Sequence, residues 1–142
     1  MTLKLPLIID TNIVLDLLVF GDAATPLLQA ALVAGEVDWL ATTPMRDELT
    51  RVLAYPQIVL RLTRYQLSAG DVLITFDKQS RLVAVAPKAS VTCSDADDQK
   101  FIDLAVAHRA LLLSKDKAVL AMTRRLQSLG VRVTRALDNK FL

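Results

Sequence analysis

Acidic side chains occur at four points of the chain where an apolar run ends or a helical pattern begins. Asp10 directly follows the apolar run Leu5–Ile9, and Asp116 comes three residues after a second such run. Asp98 lies near the start of one helical pattern, and Glu48 lies one turn into another. The carboxyl ends of parallel strands share one edge of a sheet, where ligands bind. We therefore expect the four carboxylates to converge at that edge.

Clustered carboxylates predict a site for a hard divalent cation. Like charges within a few ångströms repel and raise each other's pKa unless a cation neutralises them. The chain has a single histidine, His108, and a single cysteine, Cys93, which excludes an internal disulfide, a thiolate cluster and a histidine-rich metal site. Oxygen ligands suit Mg²⁺ or Mn²⁺. The sequence therefore favours an all-oxygen magnesium or manganese site.

Structural roles compete with metal binding for the acids around Asp98. Any acidic residue in the first turn of a helix gains roughly 0.3–1 kcal/mol from the helix dipole. Ser94 and Asp97 have the spacing of a capping box, with Asp95 in the first turn. The structural role is therefore preferred for Asp95 and Asp97, whereas Asp98 lies one position beyond the box.

Thr11 and Asn12 follow Asp10 at the predicted start of a helix. Asparagine at such a position most often bonds the backbone as a cap, and a threonine hydroxyl can do the same. Both side chains are also candidates for holding Asp10 in place.

Strands and helices alternate along the whole sequence, which predicts an α/β fold with three α/β/α layers and a central parallel sheet of about five strands. No shift in composition divides residues 1–142, so one domain is expected. Predicted strands are Leu5–Ile9, Val37–Thr42, Leu82–Val85, Leu111–Leu113 and Val131–Thr134. Helical patterns cover residues 12–18, 23–35, 43–55, 58–67, 71–80, the region of 101–105, and 117–129. Thr43 is the expected N-cap of the third helix, and Ser68 with Asp71 predicts a capping box on the fifth.

Four segments resemble the motifs of the PIN-domain proteins, the PilT N-terminus family. Ile8–Leu15, with the sequence IIDTNIVL, resembles the family's opening motif. Met45–Leu53 resembles its second acidic motif, Asp95–Ala105 its third, and Ser114–Lys117 its fourth. The motifs stand in the family's order and spacing, so the resemblance covers nearly the entire chain.

The resemblance implies a metal-dependent nuclease that cleaves single-stranded RNA, commonly the toxin of a bacterial toxin–antitoxin pair. It places the catalytic and metal-binding residues at Asp10, Glu48, Asp98 and Asp116, with Mg²⁺ or Mn²⁺ as the cofactor. Asp98 stands seven residues before Ala105, as the family pattern requires, which leaves Asp97 as a supporting candidate. Ser114 occupies a position where the family usually has Thr or Ser, and we expect it to support the site as a hydrogen-bond donor.

The favoured mechanism is hydrolysis assisted by one or two divalent ions, with the carboxylates serving chiefly as ligands. Cations close in sequence to the acids are predicted to guide the RNA strand, with solvated surface charge as the alternative: Arg46, Lys100, Lys115 and Lys117. A net charge of +2 permits a polyanionic partner without requiring one. The few aromatic residues offer no obvious stacking platform, although Trp39, Tyr55, Tyr65 and the phenylalanines could contribute.

Two other functions are weighed against the ribonuclease. A PIN-like module could hold RNA or a protein without cutting, although four intact acids argue against it. A phosphatase with an aspartyl nucleophile is the second alternative, because Asp10 ends the first strand. Such enzymes usually need another Asp two residues on, where this chain has Asn12.

Partners follow from the resemblance and from the apolar composition. A cognate antitoxin protein and a homodimer are expected, and Leu17–Phe20 could supply an apolar contact patch or fill the core. Uncharged stretches fall far short of the roughly 20 residues that cross a bilayer. The first residues lack the features of a signal peptide. We therefore expect a cytoplasmic protein with no membrane partner.

Overall fold

In a computed structural model, which describes residues 4–142, five parallel strands form one sheet in the order β3-β2-β1-β4-β5. The strands are β1 (Leu5–Ile9), β2 (Val37–Ala41), β3 (Ser80–Leu82), β4 (Leu111–Leu113) and β5 (Val133–Thr134). The chain winds outward from β1 through β2 to β3 and then returns to β4 on the other side of β1. The carboxyl ends of β1 and β4 therefore form a topological switch point, where open α/β sheets bind ligands.

Helices flank this sheet, as the alternation predicted. They are α1 (Thr11–Leu15), α2 (Pro26–Ala34), α3 (Thr43–Leu53), α4 (Pro56–Arg64), α5 (Ala69–Gln79), α6 (Gln99–His108), α7 (Lys117–Leu120) and α8 (Thr123–Ser128). A π-helical turn, Asp16–Phe20, continues α1, and 3₁₀ turns cover Ala96–Asp98 and Asn139–Phe141. The predicted α/β fold with a parallel five-stranded sheet is confirmed. Within residues 4–142, no helix is long and apolar enough to span a membrane.

The core lies around the central strands. Ile8 on β1 and Leu112 on β4 face each other in register and are completely enclosed. Helix α6 packs against both strands and buries Ile102 completely. Strands covered on both faces read as continuous apolar runs, which is why β1 and β4 were predicted with their correct bounds.

The edge strands differ from their predicted bounds. The third strand is Ser80–Leu82 and not Leu82–Val85. The apolar residues that suggested the predicted strand include Leu82 and Val85, which are at least half exposed, so this apolar run does not mark the residues that pair with β2. The fifth strand begins at Val133, since the Val131 N–H bonds the Leu126 carbonyl at 3.0 Å and closes the turn after α8.

Helix starts were predicted with mixed success. The capping box of α5 is confirmed, with both Ser68–Asp71 bonds at 3.0 Å. Thr42, not Thr43, is the N-cap of α3. The predicted helix over 117–129 is two helices, because the backbone leaves the helix at Ala121 and Met122.

The expectation of no signal peptide rests partly on residues 1–3, and these lie outside the described residues.

Candidate metal centre

Asp10 ends β1 and is almost completely enclosed, with 3% of its surface exposed. Its backbone N–H donates to the Leu113 carbonyl at 3.0 Å, so the residue stays on the sheet beside β4. Oδ1 accepts the Ile13 N–H at 3.2 Å, and Oδ2 accepts the Ser114 hydroxyl. Burial raises the pKa of Asp10 above its ordinary value and the charge of Asp116 adds to this, while the two hydrogen bonds oppose it.

Ser114 joins the two carboxylates at the switch point. It is fully buried, it donates its hydroxyl to Asp10, and its Oγ accepts the Asp116 N–H at 3.1 Å. Asp116 in turn caps α7 by accepting the Ala118 N–H at 2.8 Å. The supporting contact predicted for Ser114 is therefore present, and one hydroxyl orients both acidic residues.

Asp98 and Asp116 approach each other closely, and Asp95 lies with them. One carboxylate oxygen from each of the three lies within 4.8 Å of the other two. Asp98 Oδ2 is completely enclosed and has no hydrogen-bond partner among the described residues. Burial raises the pKa of Asp98 to about 7, and the charges of Asp116, Asp95 and Asp10 contribute.

These three carboxylates fit a hard divalent cation. An enclosed carboxylate oxygen without a donor is costly unless a proton or a cation compensates it. The donors are all oxygens, which suits Mg²⁺ or Mn²⁺. Burial and repulsion between the carboxylates also raise the pKa of Asp98, because they favour its protonated form. A bound divalent ion would compensate the same charges in place of that proton.

Asp95 is the residue that the sequence interpretation missed. Asp95 does have a structural role, as predicted, because its Oδ1 accepts the Asp97 N–H at 3.0 Å and caps the 3₁₀ turn. The predicted capping box between Ser94 and Asp97 is wrong, since the Asp97 N–H donates to Asp95 and not to Ser94. Residues three apart eclipse each other in a 3₁₀ turn, so Asp95 and Asp98 share one face. The spacing of three residues between Asp95 and Asp98 was the signal in the sequence that could have placed Asp95 at the site.

The Asp97 side chain is exposed and is not a member of the group of three aspartates.

Glu48 is not a member of the group of three aspartates. It projects from α3, is half-buried, and accepts the Thr11 hydroxyl at 2.5 Å. Its other oxygen lies 3.4 Å from the Lys100 ammonium. Thr11 follows Asp10 directly, so this contact ties Glu48 to the end of β1.

Thr11 and Asn12 do not cap α1 with their side chains. Asp10 is the N-cap, because its own carboxylate accepts the Ile13 N–H. The Thr11 hydroxyl donates to Glu48, and the Asn12 side chain is exposed. The predicted capping role is therefore wrong for both. The backbone N–H of Asn12 is one of the groups that lower the pKa of Asp10.

Three of the four predicted RNA-guiding cations are held in ion pairs. Arg46 makes a bidentate pair with Asp77 at 2.8 and 2.9 Å, and Lys115 pairs with Asp16 at 2.6 Å. Lys100 approaches Glu48, as described above. Lys117 is exposed and forms no ion pair within residues 4–142. The role of these cations in guiding RNA stays a prediction.

A family model described as PIN domain matches residues 6–118. This span begins in β1, ends just after Asp116, and so contains the four acids of the predicted site. Comparison with individually curated proteins gives no match. PIN domains are typically metal-dependent nucleases, and the aspartate cluster at the switch point is consistent with the divalent-metal site typical of them. The matched residues make up well over half of the chain, so the chain belongs to the PIN-domain family.

Proposed function

We propose that this protein is an endoribonuclease that cleaves single-stranded RNA with Mg²⁺ or Mn²⁺. The observation that carries the proposal is the convergence of Asp95, Asp98 and Asp116 within 4.8 Å around an enclosed, unpartnered oxygen of Asp98. Membership of the PIN-domain family supports hydrolysis of a nucleic acid at this place.

The site residues have separate tasks in this proposal. A bound divalent ion would polarise the phosphoryl group and activate the attacking water. Asp95, Asp98 and Asp116 would hold the ion, and Asp10, which Ser114 joins to Asp116, would add negative charge beside them. Ser114 keeps Asp10 and Asp116 in a fixed relative orientation through its two hydrogen bonds. Thr11 orients Glu48 in the same way from the other side.

Lys117 is the cation that we assign to the substrate phosphate beside this centre. It begins α7 directly after Asp116, and its ammonium is exposed without an ion pair in the described part of the chain. Lys100 and Lys115 are near enough in sequence to contribute once their carboxylate partners bind a metal or move.

The test is cleavage of an end-labelled single-stranded RNA. The wild-type protein should cut with Mg²⁺ or Mn²⁺ and stop in EDTA. Asp98→Asn should lower the rate at least about 100-fold and Asp10→Asn about 10- to 100-fold, since residues behind metal ligands are typically worth 10–100-fold and the ligands themselves more. Asp47→Asn removes an exposed acid of α3 and serves as the control with wild-type activity. Cleavage that survives EDTA, or an active Asp98→Asn variant, would contradict the proposal.

We further propose that the chain is a toxin controlled by an antitoxin protein. Only the family resemblance supports this part. Induced expression in a bacterial host should arrest growth, and Asp98→Asn should abolish the arrest. Co-expression of a small neighbouring open reading frame should restore growth. Normal growth during expression of active wild-type protein would count against a toxin.

A further inference from the structure

Positive charge is concentrated in the last quarter of the chain. Residues 109–142 contain eight of the 17 lysines and arginines and only two of the 15 acidic residues. Their net charge is +6, whereas residues 1–108 carry −4. All eight cationic side chains are exposed, and among residues 4–142 only Lys115 of these eight forms an ion pair. Seven of these eight cations are therefore exposed and without an ion pair among the described residues, which leaves them available to a polyanion.

A cavity of about 340 Å³ in this part of the chain is lined by two of these cations, Arg132 and Lys140. It lies between the edge strand β5, α8 and the carboxy-terminal turn, and its polar lining includes Thr123, Gln127, Arg132 and Lys140. The volume lies in the range of small-molecule sites and would admit one nucleotide unit.

One aromatic ring in the cavity wall has two cations over it. The Arg132 guanidinium lies over the Phe141 ring, 5.4 Å from its centre, and the Lys140 ammonium lies over the same ring at 5.3 Å. A ring beside two positive charges combines a stacking surface with phosphate-binding groups. Proteins that hold single-stranded nucleic acids use this combination.

The cavity is connected to the candidate metal centre through the sheet. Thr134, at the carboxyl end of β5, lines the cavity. Its carbonyl accepts the Ser114 N–H at 3.0 Å, and Ser114 is the residue that orients Asp10 and Asp116. The cavity therefore borders the strand next to β4, one backbone hydrogen bond away from the residue that orients the acidic site.

We propose that this cavity is a docking subsite for a nucleotide of the single-stranded RNA, outside the acidic cluster. Arg132 and Lys140 turn from the ring to bind its phosphates, which frees a face of Phe141 to stack on its base. The inference rests on the proposed ribonuclease function, because it assigns a path to that substrate. An acidic polypeptide would satisfy the cations but would leave the aromatic ring without a base.

The first experiment measures binding of a fluorescein-labelled oligouridine by anisotropy in EDTA, so that cleavage cannot contribute. The double variant Arg132→Gln/Lys140→Gln should bind at least about tenfold more weakly than wild type. Its slope of log affinity against log salt should fall by about 1.4, since each phosphate contact on a single strand contributes about 0.7. Lys78→Gln/Arg64→Gln removes the same charge from exposed positions outside residues 109–142 and should bind as wild type does.

The second experiment tests the stacking role of Phe141. Phe141→Leu should weaken oligouridine binding about fivefold or more, whereas Phe141→Tyr should retain it, because stacking needs an aromatic face. Thermal unfolding of each variant checks that the domain is still folded. Poly-glutamate should displace the oligonucleotide only poorly from wild type.

Three outcomes would overturn the subsite. The double variant could keep wild-type affinity and salt slope, Phe141→Leu could bind unchanged, or poly-glutamate could compete as well as RNA, which would indicate an acidic protein as the partner. Failure of the ribonuclease proposal is a separate result. A wild-type chain that binds oligouridine as described but never cuts RNA with Mn²⁺ contradicts the nuclease and leaves the binding measurements standing.

Discussion

At the scale of single residues, the protonation state of Asp98 decides whether the site can bind a metal ion. Its enclosed Oδ2 has no hydrogen-bond partner in the described chain, and three other aspartates raise its pKa further. A group with a pKa of about 7 is half protonated at neutral pH without metal. Metal binding must therefore displace that proton, because carboxylate ligands bind cations in the ionised form.

Metal-free stability should depend on pH through Asp98. Its pKa is about 7 in the folded state against an ordinary value of 3.8, so the folded protein binds this proton more tightly than the unfolded chain does. The stability gained from the proton is full below pH 3.8 and is lost as the pH rises through about 7. In EDTA, the Tm of wild type should fall relative to that of Asp98→Asn across this range. A difference in Tm that is constant from pH 4 to pH 8 would contradict the assignment.

Asp95 and Asp97 offer a direct comparison of two neighbouring acids. Asp95→Asn should lower Mn²⁺ affinity about 10- to 100-fold, because its carboxylate lies with those of Asp98 and Asp116. Asp97→Asn should leave the affinity unchanged, since its side chain is exposed and outside that group. Isothermal titration calorimetry with Mn²⁺ measures both. Equal losses in the two variants would mean that only net charge matters.

At the scale of elements, the start of α6 holds the segment that carries Asp95. Gln99 accepts the Cys93 N–H at 2.7 Å and donates to the Val91 carbonyl at 3.1 Å. Asp103, one turn later, accepts the Ala89 N–H at 2.9 Å. Two side chains of one helix thus replace the backbone pairing that this irregular segment lacks, and they bring Asp95 beside Asp98.

Gln99→Leu should release this segment without unfolding the sheet. We expect the Cys93 amide to lose most of its protection from hydrogen exchange, while amides of β1 and β4 keep theirs. Mn²⁺ affinity should fall as Asp95 becomes less fixed. Asp103→Ala is the comparison, because it removes the acceptor of the Ala89 amide and of the Gln99 side-chain amide but keeps the Gln99 oxygen, so it should lower the protection of the Cys93 amide less than Gln99→Leu does. Unchanged exchange at Cys93 in Gln99→Leu would contradict the role of this contact.

Sequence patterns predicted the central elements better than the peripheral ones. β1 and β4 are buried on both faces, so apolar runs mark their bounds, and Asp10 and Asp116 follow from them. β3 and β5 lie at the edges, where partial exposure weakens the pattern. The place of Asp95 could not be read from spacing alone, since it depends on a 3₁₀ turn and on the contacts of Gln99.

At the scale of the whole molecule, the expected homodimer stays a prediction. Val19 belongs to the core, and the other residues of 17–20 are half-buried against it. More exposed apolar side chains lie on the adjoining α4, whose Arg61 packs on the Phe20 ring at 4.3 Å. Val59 is 44% and Leu60 68% exposed.

The dimer prediction can be tested on α4. Light scattering at micromolar concentration should give about twice the chain mass of 15.6 kDa. Leu60→Lys should shift the protein toward the monomer, because the charge would lie in an apolar contact. Val33→Lys, at an exposed apolar position on α2, should not. A wild-type monomer would refute the dimer.

The central claim is that the aspartate cluster at the switch point between β1 and β4 binds a divalent ion. Anomalous diffraction from crystals grown with Mn²⁺ tests it most directly. The account predicts a manganese peak within about 2.0–2.6 Å of carboxylate oxygens of Asp98 and Asp116. A map with no peak at saturating Mn²⁺, or with manganese bound only away from these two residues, would contradict it.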